Sequence, residues 1–209
     1  MIINSSDYLC DIGHTSANCY QNGSSFRISL SKFNPKEFSD RVFYITVNRE
    51  FQNFPDNWIN LDSHIKIDTD YKTLGVDRRV AIFQAKNSII ADFGSAITVD
   101  IVKESRHLGG YIMLGRDEVI NGFQRKTPHL NFKNIDSLEL NKPPMLSEDA
   151  LYYGFFHSTS IFINSLSDRY RVPITITGGY SKEFLPFLKS VTYRENLLFE
   201  NMEKIILSI

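Results

Sequence analysis

The sequence predicts an α/β protein built from two similar halves. Short β-rich runs alternate with helical ones along the chain. Two matching turns, beginning at Asp11 and Asp92, each end an apolar strand. The 209 residues are 42% hydrophobic and 22% charged, close to the soluble globular average. A chain of this length buries about 70% of the surface its unfolded form exposes, which excludes disulfide- or zinc-stapled miniproteins. At about 150 residues per domain the length gives roughly 1.4 domains. The repeated turn resolves that figure into an N-terminal domain over 1–86 and a C-terminal domain over 87–209.

Taken in order, the first strand runs to Cys10, and a second spans about 19–30, broken at Asn22-Gly23, a strong hairpin signal. Val42-Phe43-Tyr44-Ile45-Thr46-Val47 reads as a buried strand, followed by a helix over 49–60 and a short strand at 64–67. A helix over 77–86 precedes strands at 89–92 and 96–102, with Gly109-Gly110 closing a second hairpin. In the latter strand Ile97, Val99 and Ile101 alternate with Ala96, Thr98 and Asp100, so the polar set shares one face, available to a cleft. From Ser147 to Tyr170 the pattern is helical. Leu151, Phe155, Phe162 and Leu166, extended by Tyr152, Phe156 and Ile163, cover an arc of about 140°, wider than the ~100° stripe of a helix on one core. Two packing partners are therefore expected. A strand at 174–177, the turn Gly178-Gly179, a helix from Ser181, a short strand near Val191 and a terminal helix after Glu200 complete the chain.

Charge is nearly balanced, 23 basic against 24 acidic residues, so no long-range field attracts nucleic acid or anionic lipid, and neither is expected as a partner. Met1-Ile2-Ile3-Asn4-Ser5-Ser6-Asp7 has no basic or apolar leader segment, and no stretch approaches 18 uninterrupted apolar residues, so a cytoplasmic location is expected. Cys10 and Cys19 lack C-x-x-C spacing and are expected as buried free thiols. The histidines form no H-E-x-x-H pair, and neither a Walker-type loop nor G-x-G-x-x-G occurs.

The informative pattern is the repeat itself: Asp11-Ile12-Gly13-His14-Thr15 and Asp92-Phe93-Gly94-Ser95-Ala96 each read acid, apolar, Gly, polar, small. Glycine lets the backbone approach a ligand, and the turn's amide and hydroxyl groups can donate to phosphate. A carboxylate beside phosphate is repulsive unless a cation lies between them, so the motif implies a metal ion as well as an anion. Either turn alone is commonplace. Two in equivalent strand-turn-strand settings point to duplication, with the turns facing across a nucleotide cleft.

These residues resemble the type III pantothenate kinases, members of the superfamily of acetate and sugar kinases, actin and heat-shock chaperones. The first turn resembles D-x-G-N-T with His14 in place of Asn, and Gly75-Val76-Asp77-Arg78 matches G-x-D-R. The stretch from Asp92 to Asp100 resembles D-x-G-T-A-x-T-x-D with Ser95 for Thr, and that from Gly109 to Gly115 resembles G-G-x-I-x-P-G with Leu114 for Pro. Thr127-Pro128-His129-Leu130 is similar to T-A-x-L-P, and the stretch from Ser147 to Gly154 to T-x-x-A-I-x-x-G. Thr177-Gly178-Gly179 resembles the superfamily's adenosine turn. The resemblance implies two duplicated ribonuclease H-like domains of the actin-like ATPase fold, with the nucleotide cleft between them. It also implies ATP-dependent phosphorylation of pantothenate to 4'-phosphopantothenate, opening coenzyme A synthesis, with Mg²⁺ and a monovalent cation, K⁺ or NH₄⁺, in a homodimer.

Residue roles follow from the same resemblance. Asp77 is the acceptor for the substrate hydroxyl proton; a carboxylate is a far weaker base than an alkoxide, so it would orient the hydroxyl and take the proton late. Its alternative role is helix N-cap. Gly75, Val76, Asp77 and Arg78 form the pantothenate motif, with Arg78 forking either to the pantothenate carboxylate or to a phosphoryl oxygen. Arg79 reads as a solvated charge, and Tyr71 as a pocket wall or an exposed loop residue. Asp11 is the Mg²⁺ ligand, and Asp11, Ile12, Gly13, His14, Thr15, Ser16, Ala17 and Asn18, with Ser95 and Thr98, line the ATP phosphates. Asp92 resembles the potassium ligand. Ser147 is either a helix N-cap or a pantothenate contact. Two rival functions stay open: a non-catalytic accessory relative, and a kinase of another small alcohol.

Overall fold

The computed structural model describes residues 1–51, 53–129 and 142–209. Leu130, part of the Thr127-Pro128-His129-Leu130 match, lies outside them, as does Gln52. Residues 1–84 and 196–209 form one compact unit and residues 85–195 a second. The terminal segment, grouped above with 87–209, thus belongs to the first unit.

In the first unit β1 (Tyr8–Ile12), β2 (Ser16–Gln21) and β3 (Ser24–Ser29) form an antiparallel meander. β1 also pairs in parallel with β4 (Val42–Thr46), and β4 with β5 (Trp58–Asn60), giving the order β3-β2-β1-β4-β5. In the second unit β6 (Ser88–Phe93), β7 (Ala96–Lys103) and β8 (Arg106–Leu114) form the same meander. β6 pairs in parallel with β9 (Ile174–Thr177), and β9 with β10 (Val191–Tyr193), in the order β10-β9-β6-β7-β8. The second order is the first read from the other edge, strand for strand. The duplication read from two short turns is therefore a duplication of topology, and each half is a ribonuclease H-like α/β domain.

Central parallel strands must be covered on both faces. Leu9, Phe43 and Ile45 pack on one face of the first sheet with Val76, Val80, Phe199, Met202 and Ile205. Cys10, Ile12, Ala17, Val42, Tyr44 and Trp58 pack on the other with Phe33. The second sheet is filled by Ile89, Ala91, Phe93, Ile97, Val99, Ile174 and Ile176 against Phe156, Ile163, Leu166 and Phe184.

Several elements are as the sequence predicts. Asn22 and Gly23 take φ of 47° and 84° in the first hairpin turn, and α3 (Ser147–Tyr170) has the predicted bounds. On α3, Phe156, Ile163 and Leu166 are buried and Tyr152, Phe155 and Phe162 partly so, all in one core, while Ile161 is exposed. Other elements differ. No helix forms over the described residues of 49–60, because Phe51, Phe54 and Trp58 close an aromatic cluster with Phe33 and Tyr44 and the Trp58 amide bonds back to the Pro55 carbonyl. The segment 64–67 is not a strand; a 3₁₀ turn at Asp62–His64 drops Ile65 into the core. The second hairpin turns at Glu104-Ser105, both at positive φ, and Gly109-Gly110 lies within β8. The helix at 77–86 is the shorter α1 (Val76–Ala81). α2 (Arg116–Lys126) was not anticipated, α4 (Ser181–Phe184) is a single turn, and α5 (Leu197–Leu207) starts before Glu200.

Two side-chain expectations are also corrected. Asp100, expected on a polar face open to a cleft, is 1% exposed and bonds His107 Nε2 at 2.8 Å. Cys10 and Cys19 are buried as expected but joined in a disulfide rather than free. The antiparallel register sets them directly opposite, 4.2 Å between Cα atoms, which sequence spacing alone does not reveal.

One ion pair, between the buried Asp7 carboxylate and the partly exposed Arg41, makes stability pH-dependent. Burial alone would raise the Asp7 carboxyl, but the Arg41 guanidinium and the Asn4 amide outweigh it and hold it below the usual carboxylate range. A depressed acid stabilises the fold above its unfolded pKa of about 3.9, and that contribution is lost as pH falls through the folded value. Arg41→Gln is accordingly expected to lower the urea midpoint more at pH 7 than at pH 2.5. An equal loss at both would contradict the role of the pair.

Candidate active site

In the first unit the relevant residues gather at the carboxyl ends of β1 and β4, where ligands bind in open α/β sheets. Asp11, near the end of β1, pairs across to Asn18 and Ile45. It shares a sheet face with Leu9, Phe43 and Ile45, the face that α1 covers through Val76 and Val80. Asp11 and the helix carrying Asp77 are thus on one side of the sheet.

The turn after β1 is held by its own backbone and by β4. The Gly13 amide bonds the Ser16 carbonyl at 3.0 Å, and the Leu30 amide bonds the Thr15 carbonyl at 3.1 Å. Thr46 Oγ1 donates to the Ile12 carbonyl at 3.1 Å, and Asn48 Nδ2 to the Gly13 carbonyl at 3.4 Å. His14 and Thr15 are exposed at the tip of the turn. Ile12 and Ala17 are core residues that offer a ligand only backbone. Ser16 is buried and its hydroxyl accepts from Arg27 Nε at 2.8 Å. Thr46, Asn48 and Arg27 were missed by sequence reasoning, because only the strand register brings them to the turn.

α1 begins at Gly75, its N-cap residue. Asp77 is therefore not the N-cap; it lies in the first turn, where its Oδ1 accepts from the Arg78 amide at 2.8 Å. A Cβ on Gly75 would lie 2.5 Å from Asp77 Oδ1 and 3.8 Å from Val47, so the glycine makes room for the carboxylate beside the end of β4. Arg78 is 5% exposed, with its guanidinium 5.1 Å from the Tyr71 ring centroid and Nη1 within 3.5 Å of the Tyr71 hydroxyl. Tyr71 is accordingly a half-buried partner of the motif arginine, not an exposed loop residue. Arg79, read as a solvated charge, instead pairs with Asp62 and bonds the Ile65 carbonyl at 3.3 Å.

In the second unit Asp92 pairs across to Thr98 on one side and Thr177 on the other, so three oxygen-bearing side chains share one face at the carboxyl end of β6. Gly178, at φ 93°, closes over them: a Cβ there would strike Asp92 Oδ1 and come within 2.6 Å of the Phe93 nitrogen. Gly115 packs as closely, donating its amide to the Ser95 carbonyl at 3.1 Å, and a Cβ would overlap the carbonyls of Gly94 and Ser95. Ser95 itself is exposed. Ser147 is exposed at the start of α3; the cap position is Leu146, so Ser147 is not the N-cap.

Two repeated sheets, each ending its first strand in an Asp-x-Gly turn, define the actin-like ATPase fold. Solved structures of a 2-dehydro-3-deoxygalactonokinase-like protein from Sinorhizobium meliloti and an N-acetylmannosamine kinase-like protein from Listeria monocytogenes share that fold at TM-scores of 0.57 and 0.52, with 7% and 12% identity, over 97% of this chain and 96% and 98% of theirs. A family model described as type III pantothenate kinase matches residues 41–169. Type III pantothenate kinases from Sulfurimonas denitrificans and Helicobacter pylori are 33% and 35% identical, over 95% and 93% of this chain and 96% and 88% of theirs. A Campylobacter jejuni structure assigned to the Baf family of transcriptional activators is 31% identical at a TM-score of 0.84, covering 96% of this chain and 98% of its own. The chain belongs to the type III pantothenate kinase family and is a kinase that phosphorylates pantothenate in coenzyme A biosynthesis.

Proposed function

We propose that phosphoryl transfer to pantothenate is carried by Asp77, with the two Asp-x-Gly turns as its phosphate and cation sites. The observation that carries this reading is the placement of Asp77, in the first turn of α1 beside the end of β4, with Gly75 leaving space for its carboxylate. Asp77 orients the attacking hydroxyl and takes its proton as the bond to phosphorus forms, while Arg78, stacked on Tyr71, supplies a fixed cation for the pantothenate carboxylate. Gly75 and Val76 set the start of the helix. Ser147 adds a hydroxyl contact to the substrate.

The turn from Asp11 through Gly13, His14, Thr15 and Ser16 to Asn18 receives the ATP phosphates at its exposed His14-Thr15 tip, with Ser95 and Thr98 serving the second turn. A Mg²⁺ ion carried by nucleotide phosphates needs only one or two protein carboxylates, which Asp11 satisfies; it would neutralise charge on the phosphoryl oxygens. Asp92, flanked by Thr98 and Thr177, presents one charge among neutral oxygens, a donor set suited to K⁺ or NH₄⁺. The assembly is a homodimer: edge strand β8 exposes Leu108, Tyr111, Ile112 and Leu114, and the helices of the same unit expose Phe123 and Ile161. Among the described residues no helix is long and apolar enough to cross a membrane, and we place the enzyme in the cytoplasm with its ATP.

The cation role is tested by assaying ATP-dependent turnover in sodium and then in potassium or ammonium. Wild-type protein is expected to need K⁺ or NH₄⁺, and Asp92→Asn to need a monovalent concentration at least about tenfold higher, the weight of one lost charge-assisted contact. Equal rates in all salts, or an Asp92→Asn enzyme with an unshifted cation requirement, would contradict it.

A further inference from the structure

α1 is six residues long, too short to stand alone, and a helix leaves its last carbonyls without partners of its own. Two of these carbonyls are taken by one side chain from the far end of the sequence. Asn201 Nδ2 donates to the Val80 carbonyl at 2.9 Å, which also accepts the Phe83 amide, and to the Ala81 carbonyl at 3.2 Å. Lys204 Nζ donates to Asn201 Oδ1 at 2.8 Å. The orientation of the amide follows from these partners, since its oxygen faces an ammonium and its nitrogen faces two carbonyls.

Asn201 is 2% exposed and sits on α5 beside Phe199, Met202, Ile205 and Ile206, which pack against Val76 and Val80. That packing holds α1 against the sheet but is not directional. The two hydrogen bonds are directional, and they fix how far the helix slides and turns on its axis. Asp77 and Arg78 lie one turn earlier on the same short rod; the Arg78 carbonyl is itself bonded by the Ile82 amide at 3.1 Å. A shift at the Val80 end therefore moves the Asp77 carboxylate.

We propose that Asn201 is a positioning residue for phosphoryl transfer, holding α1 in the register that presents Asp77 and Arg78 to the substrate. The proposal rests on the reading of Asp77 given above. It also explains why the chain returns to its first unit after β10: the terminal helix supplies the polar clamp for the helix that carries the chemistry.

The test is a double-mutant cycle on the full chain, measured at a temperature where circular dichroism shows every variant folded. Asn201→Leu keeps the branching and heavy-atom count of the side chain and removes both donors. It is expected to lower kcat about 10- to 100-fold, the effect of misplacing a catalytic group by a fraction of an ångström to an ångström, with KM for ATP within about twofold. In an Asp77→Asn background the same change should cost less than about threefold, because the group being positioned is already gone. A residue that only supported the fold would lower the melting temperature and leave these kinetic ratios unmoved. Wild-type kcat in Asn201→Leu, or an equal loss in both backgrounds, overturns the proposal while leaving Asp77 intact. Full turnover in Asp77→Asn alone overturns the reading of Asp77 and the proposal with it. Should Asn201→Leu fail to fold, Asn201→Ser, which keeps one donor, is read by the same criteria.

Discussion

Asp77→Asn, purified as a folded protein, is expected to phosphorylate pantothenate about 10² to 10⁴ times more slowly than the wild type, or roughly 3 to 5 kcal/mol of barrier. The carboxamide keeps the size of the side chain and can still accept the Arg78 amide bond, so the start of α1 should survive. What it loses is the negative charge and the ability to take a proton as the hydroxyl attacks. KM for ATP should stay within a few-fold, because the turn after β1 is held by Thr46, Asn48 and its own backbone and not by Asp77. Unchanged turnover would remove Asp77 from the chemistry and leave it as a residue of the helix's first turn.

Gly178→Ala is expected to destabilise the second unit by about 2 to 6 kcal/mol. An alanine there meets two penalties: a backbone at φ 93°, costing about 1 to 3 kcal/mol for a residue with a Cβ, and overlap with Asp92 Oδ1 and the Phe93 backbone, costing about another 1 to 3. At roughly 2 to 4 °C per kcal/mol for a chain of this size, the melting temperature should fall by about 4 to 24 °C. Asp92 Oδ1 is the first atom in the way, so the monovalent-cation requirement should rise together with the loss of stability. Gly179→Ala is the control: a Cβ there meets nothing within 4 Å, and the change should stay within about 0.5 kcal/mol. Equal melting temperatures for the two variants would show that Gly178 does not make this close approach.

Sequence reading succeeded where the determinant is local. Asn22-Gly23 announces its own turn, β4 is a continuous apolar run, and the 3.6 period of α3 survives over its full length. The Asp-x-Gly turns and Gly75-Val76-Asp77-Arg78 were legible because each is contiguous. Failures fall where distant contacts decide. Phe51 and Phe54 suit a helix face by spacing, but their partners Phe33 and Tyr44 come from other segments. Glu104 and Ser105 accept positive φ because the pairing of Lys103 with Arg106 leaves two residues to turn the chain, while the nearby glycines drew the prediction away. The pairing of Cys10 with Cys19, the polar contacts of Thr46 and Asn48 with the first turn, and the capture of α1 by Asn201 all depend on register or on the return of the terminal helix.

The central claim, that this chain transfers phosphate from ATP to pantothenate, is tested most directly by mass-spectrometric detection of product. Purified protein is incubated with ATP, Mg²⁺, pantothenate and potassium, with a matched reaction lacking pantothenate. The account predicts stoichiometric 4'-phosphopantothenate and ADP, with little ADP when pantothenate is omitted and Asp77→Asn slowed as above. ADP formed at the same rate without pantothenate, or ATP bound by folded protein with no phosphorylated pantothenate in any salt, would contradict it.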